Sequence, residues 1–210
     1  MDEVAASRAA GPQPEESPRD EQSQALATLA LAGDAPAFEQ LVAKFQGPAW
    51  ALARRITGDR EVAMEMVQEA FLRVHVHRAD YRPGQRFAPW FYRILVNLCL
   101  NATRNRKLRA SPLSPAGFDG VQGPAHSGPE HQAEAHERDR ALAEAFDRLP
   151  ARYRAALALR LHAGLSVDQA AAAMDCPAGT VKTLVFRARE ALRLRLEAWE
   201  GPGPTKGGHR

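Results

Sequence analysis

The chain has 210 residues, of which 45% are hydrophobic and only 7% aromatic, with a formal net charge of +3. That length holds one or two small domains, and that apolar fraction is enough for a packed core. Abundant Ala with few aromatics favours helices over sheets. The isoelectric point is about 9.1, and nearly all the basic side chains are Arg, whose planar fork suits phosphates and base edges. GC-rich coding produces the same enrichment, so composition alone does not decide the partner. No apolar run approaches the roughly 20 residues that span a bilayer, and the N-terminus lacks the basic-then-apolar pattern of a secretory signal. These features place the protein in the cytoplasm, with no membrane insertion of its own. Cys99 and Cys176 have no CxxC neighbour and read as reduced structural thiols; a redox role for either stays open.

In chain order, residues 1–21 are rich in Ala, Pro, Glu and Ser without an apolar period, which predicts a disordered tail. A structured block follows over 22–109. Leu26, Leu29 and Ala30 start a short helix that Gly33 ends. Asp34 caps the next helix, with Pro36 in its first turn. There Phe38, Leu41, Val42 and Phe45, then Trp50, Ala53 and Ile56, repeat at helical spacing. Gly58 stops that helix and Asp59 caps another, whose stripe is Val62, Met66, Val67, Ala70, Phe71 and Val74. A polar turn spans 80–86. The last helix of the block carries Trp90, Phe91, Ile94, Leu95, Leu98 and Cys99 and ends on Arg104, Arg106, Lys107 and Arg109.

Residues 110–136 are dense in Pro, Gly and Ser and read as a flexible linker, the clearest domain boundary in the chain. The block 137–200 reads as entirely helical, with stripes at Leu142, Ala145, Phe146 and Leu149, then at Tyr153, Leu157 and Leu161. Residues 201–210 form a second disordered tail. The fold class is therefore all-α: two small helical domains joined by a flexible linker, the C-terminal one a helix-turn-helix.

The helix-turn-helix reading rests on the segment 166–196. Ser166 and Gln169 make a capping box, in which hydroxyl and amide each satisfy an exposed backbone N–H. A short helix runs to Met174, and the turn Asp175-Cys176-Pro177 leads into a second helix. There Val181, Val185, Ala188 and Leu192 share one face, to pack on Val167, Ala170 and Met174. Lys182, Thr183, Phe186, Arg187 and Arg189 point elsewhere. Polar and basic residues near the start of the second helix suit major-groove reading. The alternative is an ordinary helical hairpin with a solvated basic face.

Both blocks together resemble the extracytoplasmic-function (ECF) group of bacterial RNA polymerase sigma factors. Leu149-Pro150, Gly164-Leu165-Ser166, Gly179 to Lys182 and Arg187 to Arg189 are similar to its region four. Gly33-Asp34 with Phe38 and Leu41, Gly58-Asp59-Arg60, Val67-Gln68-Glu69, Phe71, and then Phe87, Trp90, Tyr92, Arg93, Ile94 and Asn97 are similar to region two. The resemblance implies a sigma factor with no catalysis of its own, core RNA polymerase and promoter DNA as partners, an anti-sigma factor that binds across both modules, and a stress or envelope-signal regulon. It implies polymerase docking through Glu65, Val67, Gln68, Glu69 and Phe71, of which Val67 and Phe71 also suit the core. The −10 element falls to Tyr81, Arg82, Arg86, Phe87, Trp90, Tyr92, Arg93 and Asn97. Unstacked bases held on aromatics, with cations on the phosphates, keep a melted strand apart. Trp90, Ile94 and Leu98 are expected mostly in the core. The −35 element falls to Thr180, Lys182, Thr183, Phe186 and Arg187.

Four positions depart from the family pattern. Met64-Glu65 stands where an acidic pair is usual. Asp175 replaces a turn Gly, at some conformational cost. Leu184 replaces a frequent Arg. Ala170 replaces a larger apolar residue, which predicts a loosely packed C-terminal module that depends on DNA or a partner.

No cofactor or metal is expected. His126, His131 and His136 are evenly spaced in a segment that supplies no preformed geometry, and His75 and His77 point to different sides of a helix. No nucleophile, base and orienter set and no phosphate-cradling Gly loop occurs. Two rivals remain: a plain helix-turn-helix regulator with an unrelated N-terminal sensor, and a polymerase-binding antagonist. Neither needs the aromatic cluster around residue 90.

Overall fold

The computed structural model describes residues 18–82, 85–109 and 129–200. Most of the expected tails and linker, with His126 and the side chains of His131 and His136, lie outside the described residues. Within them the chain is helical throughout, with no strand.

Helix α1 spans Pro18–Leu31 and α2 spans Ala35–Thr57. α1 therefore begins inside the segment read as a tail, with Pro18 in the first turn, where its missing N–H is not needed. Asp34 caps α2 by accepting from the Ala37 N–H at 2.8 Å, which satisfies one of the donors that a helix start leaves bare. Leu41, Phe45, Ala49, Leu52, Ala53 and Ile56 form the buried face of α2. Gly58 ends it at φ 73°, returning its N–H to the Arg54 carbonyl; a side chain there would be strained. Asp59 follows at once as the cap of α3, Arg60–Val76, accepting from Glu61 and Val62 at 3.0 and 3.2 Å. A 3-10 turn at Arg78–Asp80 leads towards α4, Phe87–Arg109.

Helices α2, α3 and α4 close over an aromatic cluster. Phe45 meets Phe87 edge-on at 5.0 Å, Phe71 meets Phe91 at 4.9 Å, and Phe87 stacks on Phe91 at 5.7 Å. Such ring pairs add to the burial itself and fix mutual orientation.

The C-terminal half comprises α5, Pro129–Asp147; α6, Ala151–Leu161; α7, Val167–Met174; and α8, Ala178–Glu200. α5 begins inside the segment read as linker, because the Ala- and Glu-rich run after its Pro and Gly residues has high helix propensity. The capping box of α7 is formed in both directions, at 3.1 and 2.8 Å.

The two halves do not stand apart. One apolar core runs from Leu41, Ile56 and Val96 through Ala155 and Leu159 to Ala170, Met174 and Val181. α6 lies on α2 and α7 lies on α4. The loose packing expected at Ala170 is corrected here. Ala170, Ala171 and Ala173 are all buried, and small side chains let α7 sit close on α4, so the missing bulk is filled from the other half of the chain.

One buried cation ties this arrangement together. Arg154 of α6 donates from Nε and Nη2 to the Ile56 carbonyl at 3.1 and 2.5 Å. Its Nη1 donates to the carbonyls of Asp147 at 2.5 Å and Leu149 at 3.2 Å. These acceptors sit at the C-terminal ends of α2 and α5, where carbonyls lack intrahelical partners and the helix dipole is negative. Burial lowers the Arg154 pKa, while Asp147 opposes that shift.

Two outcomes test this packing. Arg154→Met keeps the apolar stem and leaves three carbonyls without donors. It is expected to cost about 2–4 kcal/mol, read as a lower urea midpoint; an unchanged midpoint would remove the cation from its central role. Burial pushes the Cys99 thiol up to about 12, whereas Cys176 is only half-buried. Thiolate, not thiol, is the reactive form, so a disulfide reagent at pH 8 is expected to modify Cys176 quickly and Cys99 only after denaturation. Equal reactivity of both in the native protein would contradict the core described here.

Candidate functional site

Three surfaces carry the residues that the sequence singled out. The first is the outer face of α3. Val67 and Phe71 are buried under it, whereas Glu65 and Gln68 are exposed and Glu69 is half-buried. Glu69 pairs with Arg73 at 2.7 Å. The sequence reading missed three neighbours, Met64, Leu72 and Val76, which are 46%, 58% and 64% exposed. With Gln68 they recur every four residues and form a ridge on one side of the helix. Apolar residues lying off the buried stripe were the available signal. Beside the ridge, between α3 and the C-terminal half of α4, lies an open groove of about 620 Å³ whose walls include Glu65, Met66, Leu98 and Asn105. Asp59 sits nearby, pairing with Arg106 at 2.9 Å. Its carboxyl is held below the usual range, chiefly by the Val62 backbone N–H.

The second surface is the turn before α4 and the first half of that helix. Arg82, Arg93 and Asn97 are exposed, and Tyr81, Arg86 and Trp90 are half-buried. Tyr81 meets Trp90 edge-on at 5.2 Å, and its hydroxyl donates to the Gln85 carbonyl. Burial raises the Tyr81 pKa, opposed by its bond from Gln24. Phe87 and Tyr92 lie elsewhere: they are 1% and 4% exposed, and burial pushes the Tyr92 hydroxyl up to about 12. Both belong to the aromatic cluster beneath the surface, and no base reaches their faces in this conformation. Of the residues expected mostly in the core, Leu98 is buried, while Trp90 and Ile94 are partly so.

α7 lies against this surface. The Asp175 carboxylate reaches Arg93 at 3.3 Å. Asp175 has φ 51°, the one positive φ outside Gly among the described residues. The left-handed turn that suits Gly is thus held by a residue whose side chain crosses to the other half of the chain.

The third surface is the outer face of α8. Val181 and Ala188 are buried, with Val185 and Leu192 partly so, which turns Thr180, Lys182, Thr183 and Arg187 outward. Phe186 is 70% exposed, and Leu184 packs against the core. The Thr183 hydroxyl donates back to the Gly179 carbonyl at 2.9 Å. Phe186 thus stands on the same outward face as the exposed Lys182 and Arg187.

Among the described residues no group of His, Cys, Asp and Glu is arranged to hold a metal ion, and no helix is long and apolar enough to cross a membrane.

The family model for sigma-70 region 2 matches residues 41–109, and that for sigma-70 region 4 matches residues 139–192. The RNA polymerase sigma-H factor of Pseudomonas aeruginosa is 33% identical over 184 residues, covering 84% of this chain and 95% of that protein. The ECF RNA polymerase sigma-E factor of Escherichia coli K12 is 32% identical over 180 residues, covering 83% and 94%. Two solved structures share the fold. One is CnrH in complex with the cytosolic domain of CnrY, with TM-score 0.61, 23% identity, and coverage of 84% of this chain and 97% of that one. The other is the Bartonella quintana sigma factor RpoE in complex with the anti-sigma factor NepR, with TM-score 0.60, 23% identity, and coverage of 76% and 96%.

Proposed function

The chain belongs to the sigma-70 family of RNA polymerase sigma factors, in its ECF group, and from that we propose how its surfaces share the work. As a sigma factor it joins core RNA polymerase and promoter DNA to initiate transcription, and the ECF type implies a stress or envelope-signal regulon. We assign residues 22–109 to polymerase and the −10 element, and 137–200 to the −35 element. Its place of action is the cytoplasm, and its part in the reaction is binding rather than catalysis.

The ridge of α3 docks on the polymerase through Glu65, Gln68 and Glu69, joined by Met64, Leu72 and Val76. An exposed apolar ridge with charged flanks suits a helix-on-helix contact; Val67 and Phe71 support it from below. On the −10 side, Arg82, Arg86 and Arg93 hold phosphates, Asn97 offers its amide, and Tyr81 and Trp90 present ring edges and faces to unpaired bases. Phe87 and Tyr92 act from the core, holding those groups in place. On the −35 side, Lys182, Thr183, Phe186 and Arg187 enter the major groove, with Thr180 at the helix start.

The observation that carries this reading is the outward display of DNA-suited side chains on both halves, Arg82, Arg93 and Asn97 on one and Lys182, Phe186 and Arg187 on the other. The closed packing adds a step. Arg93 gives up Asp175 when it takes a phosphate, and α7 leaves α4 so that the two halves reach separate promoter elements. An anti-sigma factor that bridges both halves would hold that step back, as NepR accompanies the Bartonella sigma factor.

Run-off transcription with core polymerase on candidate promoter DNA tests the assignment, with specific initiation expected only when the chain is added. On a responsive promoter, Arg187→Ala is expected to weaken −35-dependent initiation about tenfold, as for one lost base contact worth about 1–3 kcal/mol, with core binding intact. Equal loss of both would count against the −35 assignment. Replacing Gln68 and Glu69 together with Ala is expected to reduce affinity for core polymerase while leaving the melting temperature unchanged. Undiminished affinity would move the docking surface away from α3.

A further inference from the structure

Gln24, on α1, lies upstream of the segment that matches region 2. Its side chain is half-buried and turned towards the turn ahead of α4. Nε2 donates to the Tyr81 hydroxyl at 2.5 Å and to the Gln85 carbonyl at 2.9 Å. Oε1 accepts from the Phe87 N–H at 2.9 Å. The amide has one possible orientation here. A backbone N–H only donates and a backbone carbonyl only accepts, so oxygen must face Phe87 and nitrogen must face Gln85. The Tyr81 hydroxyl completes the ring by donating to Gln85.

These bonds hold both sides of one turn. Tyr81 stands before it, and Gln85 and Phe87 stand after it. Phe87 opens α4, so its N–H has no partner within the helix, and Gln24 acts as a cap supplied from more than 60 residues away. The Tyr81 ring touches Phe87 at 6.4 Å and Trp90 at 5.2 Å, so fixing its hydroxyl also fixes the aromatic edge beside Trp90.

We infer that Gln24 is a positioning residue for capture of the unpaired −10 strand: it sets the turn carrying Tyr81, Arg82 and Arg86 in the geometry that receives bases. The inference rests on the −10 assignment above. Preformed geometry matters because a loop that must order itself on binding loses affinity for the strand it holds.

The test uses holoenzyme reconstituted from the full chain and core polymerase, on a promoter where the wild-type protein initiates. Binding is measured for a single-stranded oligonucleotide of the non-template −10 strand, with promoter opening followed by permanganate reactivity of unpaired thymines. Gln24→Leu is expected to weaken oligonucleotide binding about tenfold and to slow opening. Core affinity and duplex −35 binding by the holoenzyme are expected to stay at wild-type values, while the melting temperature falls by a few degrees because half-buried groups of the turn lose their partners. Gln24→Glu keeps the acceptor for Phe87 and loses both donors, so it carries the same test if the Leu variant does not fold. Unchanged strand binding in a folded variant would overturn the inference, and so would parallel loss of core and −35 binding, which marks a purely structural residue. Failure of the wild-type holoenzyme to bind the single strand would instead overturn the −10 assignment itself.

Discussion

The arrangement depends on one guanidinium placed where two helices end. α2 and α5 bring their C-terminal carbonyls to the same buried spot, with two negative dipole ends side by side. Without a donor, Ile56, Asp147 and Leu149 would each leave an acceptor short of partners away from water. Arg154 satisfies all three with a planar fork. A Lys ammonium is a compact point charge without that spread of donors. Because Arg154 sits on α6, capping the end of α2 also sets α6 on the N-terminal half, and α6 carries the rest of the C-terminal half with it.

With α6 placed, α7 comes to rest on α4, and its small side chains decide how closely. The Arg93–Asp175 pair at the edge of this contact is largely exposed and is worth at most about 1 kcal/mol. The apolar contact and the Arg154 cap therefore supply most of the closure, while the ion pair selects which cation is occupied. That division suits a two-state protein. The open arrangement proposed above would need contacts with promoter DNA and polymerase that offset the closure it gives up.

The functional surfaces follow the same logic of competing partners. Phe87 and Tyr92 have the right chemistry to stack on a base, yet the core has the stronger claim on them, because burying a large ring outweighs displaying it to solvent. Trp90 and Tyr81 sit at the margin of the cluster and keep part of their surface free. On α3 the reverse holds. Met64, Leu72 and Val76 are apolar but lie outside the sector of the helix that faces α2 and α4, so they stay exposed and form a ridge.

Asp34, Gly58, Asp59, Ser166 and Gln169 were legible from the sequence, and so were the helical stripes and the helix-turn-helix. Each depends on partners within a few residues, and local chemistry repeats from protein to protein. Helices begin at Pro18 and Pro129, inside the segments read as tail and linker, because polar runs without an apolar stripe offer no period to read. What tertiary structure alone decided was long-range. Arg154 meets a carbonyl 98 residues away, Gln24 reaches a turn some 60 residues on, and α7 covers α4. No periodicity or spacing encodes such meetings, because they depend on where whole helices pack, and a sequence pattern shows which face of a helix is apolar without showing what will cover it.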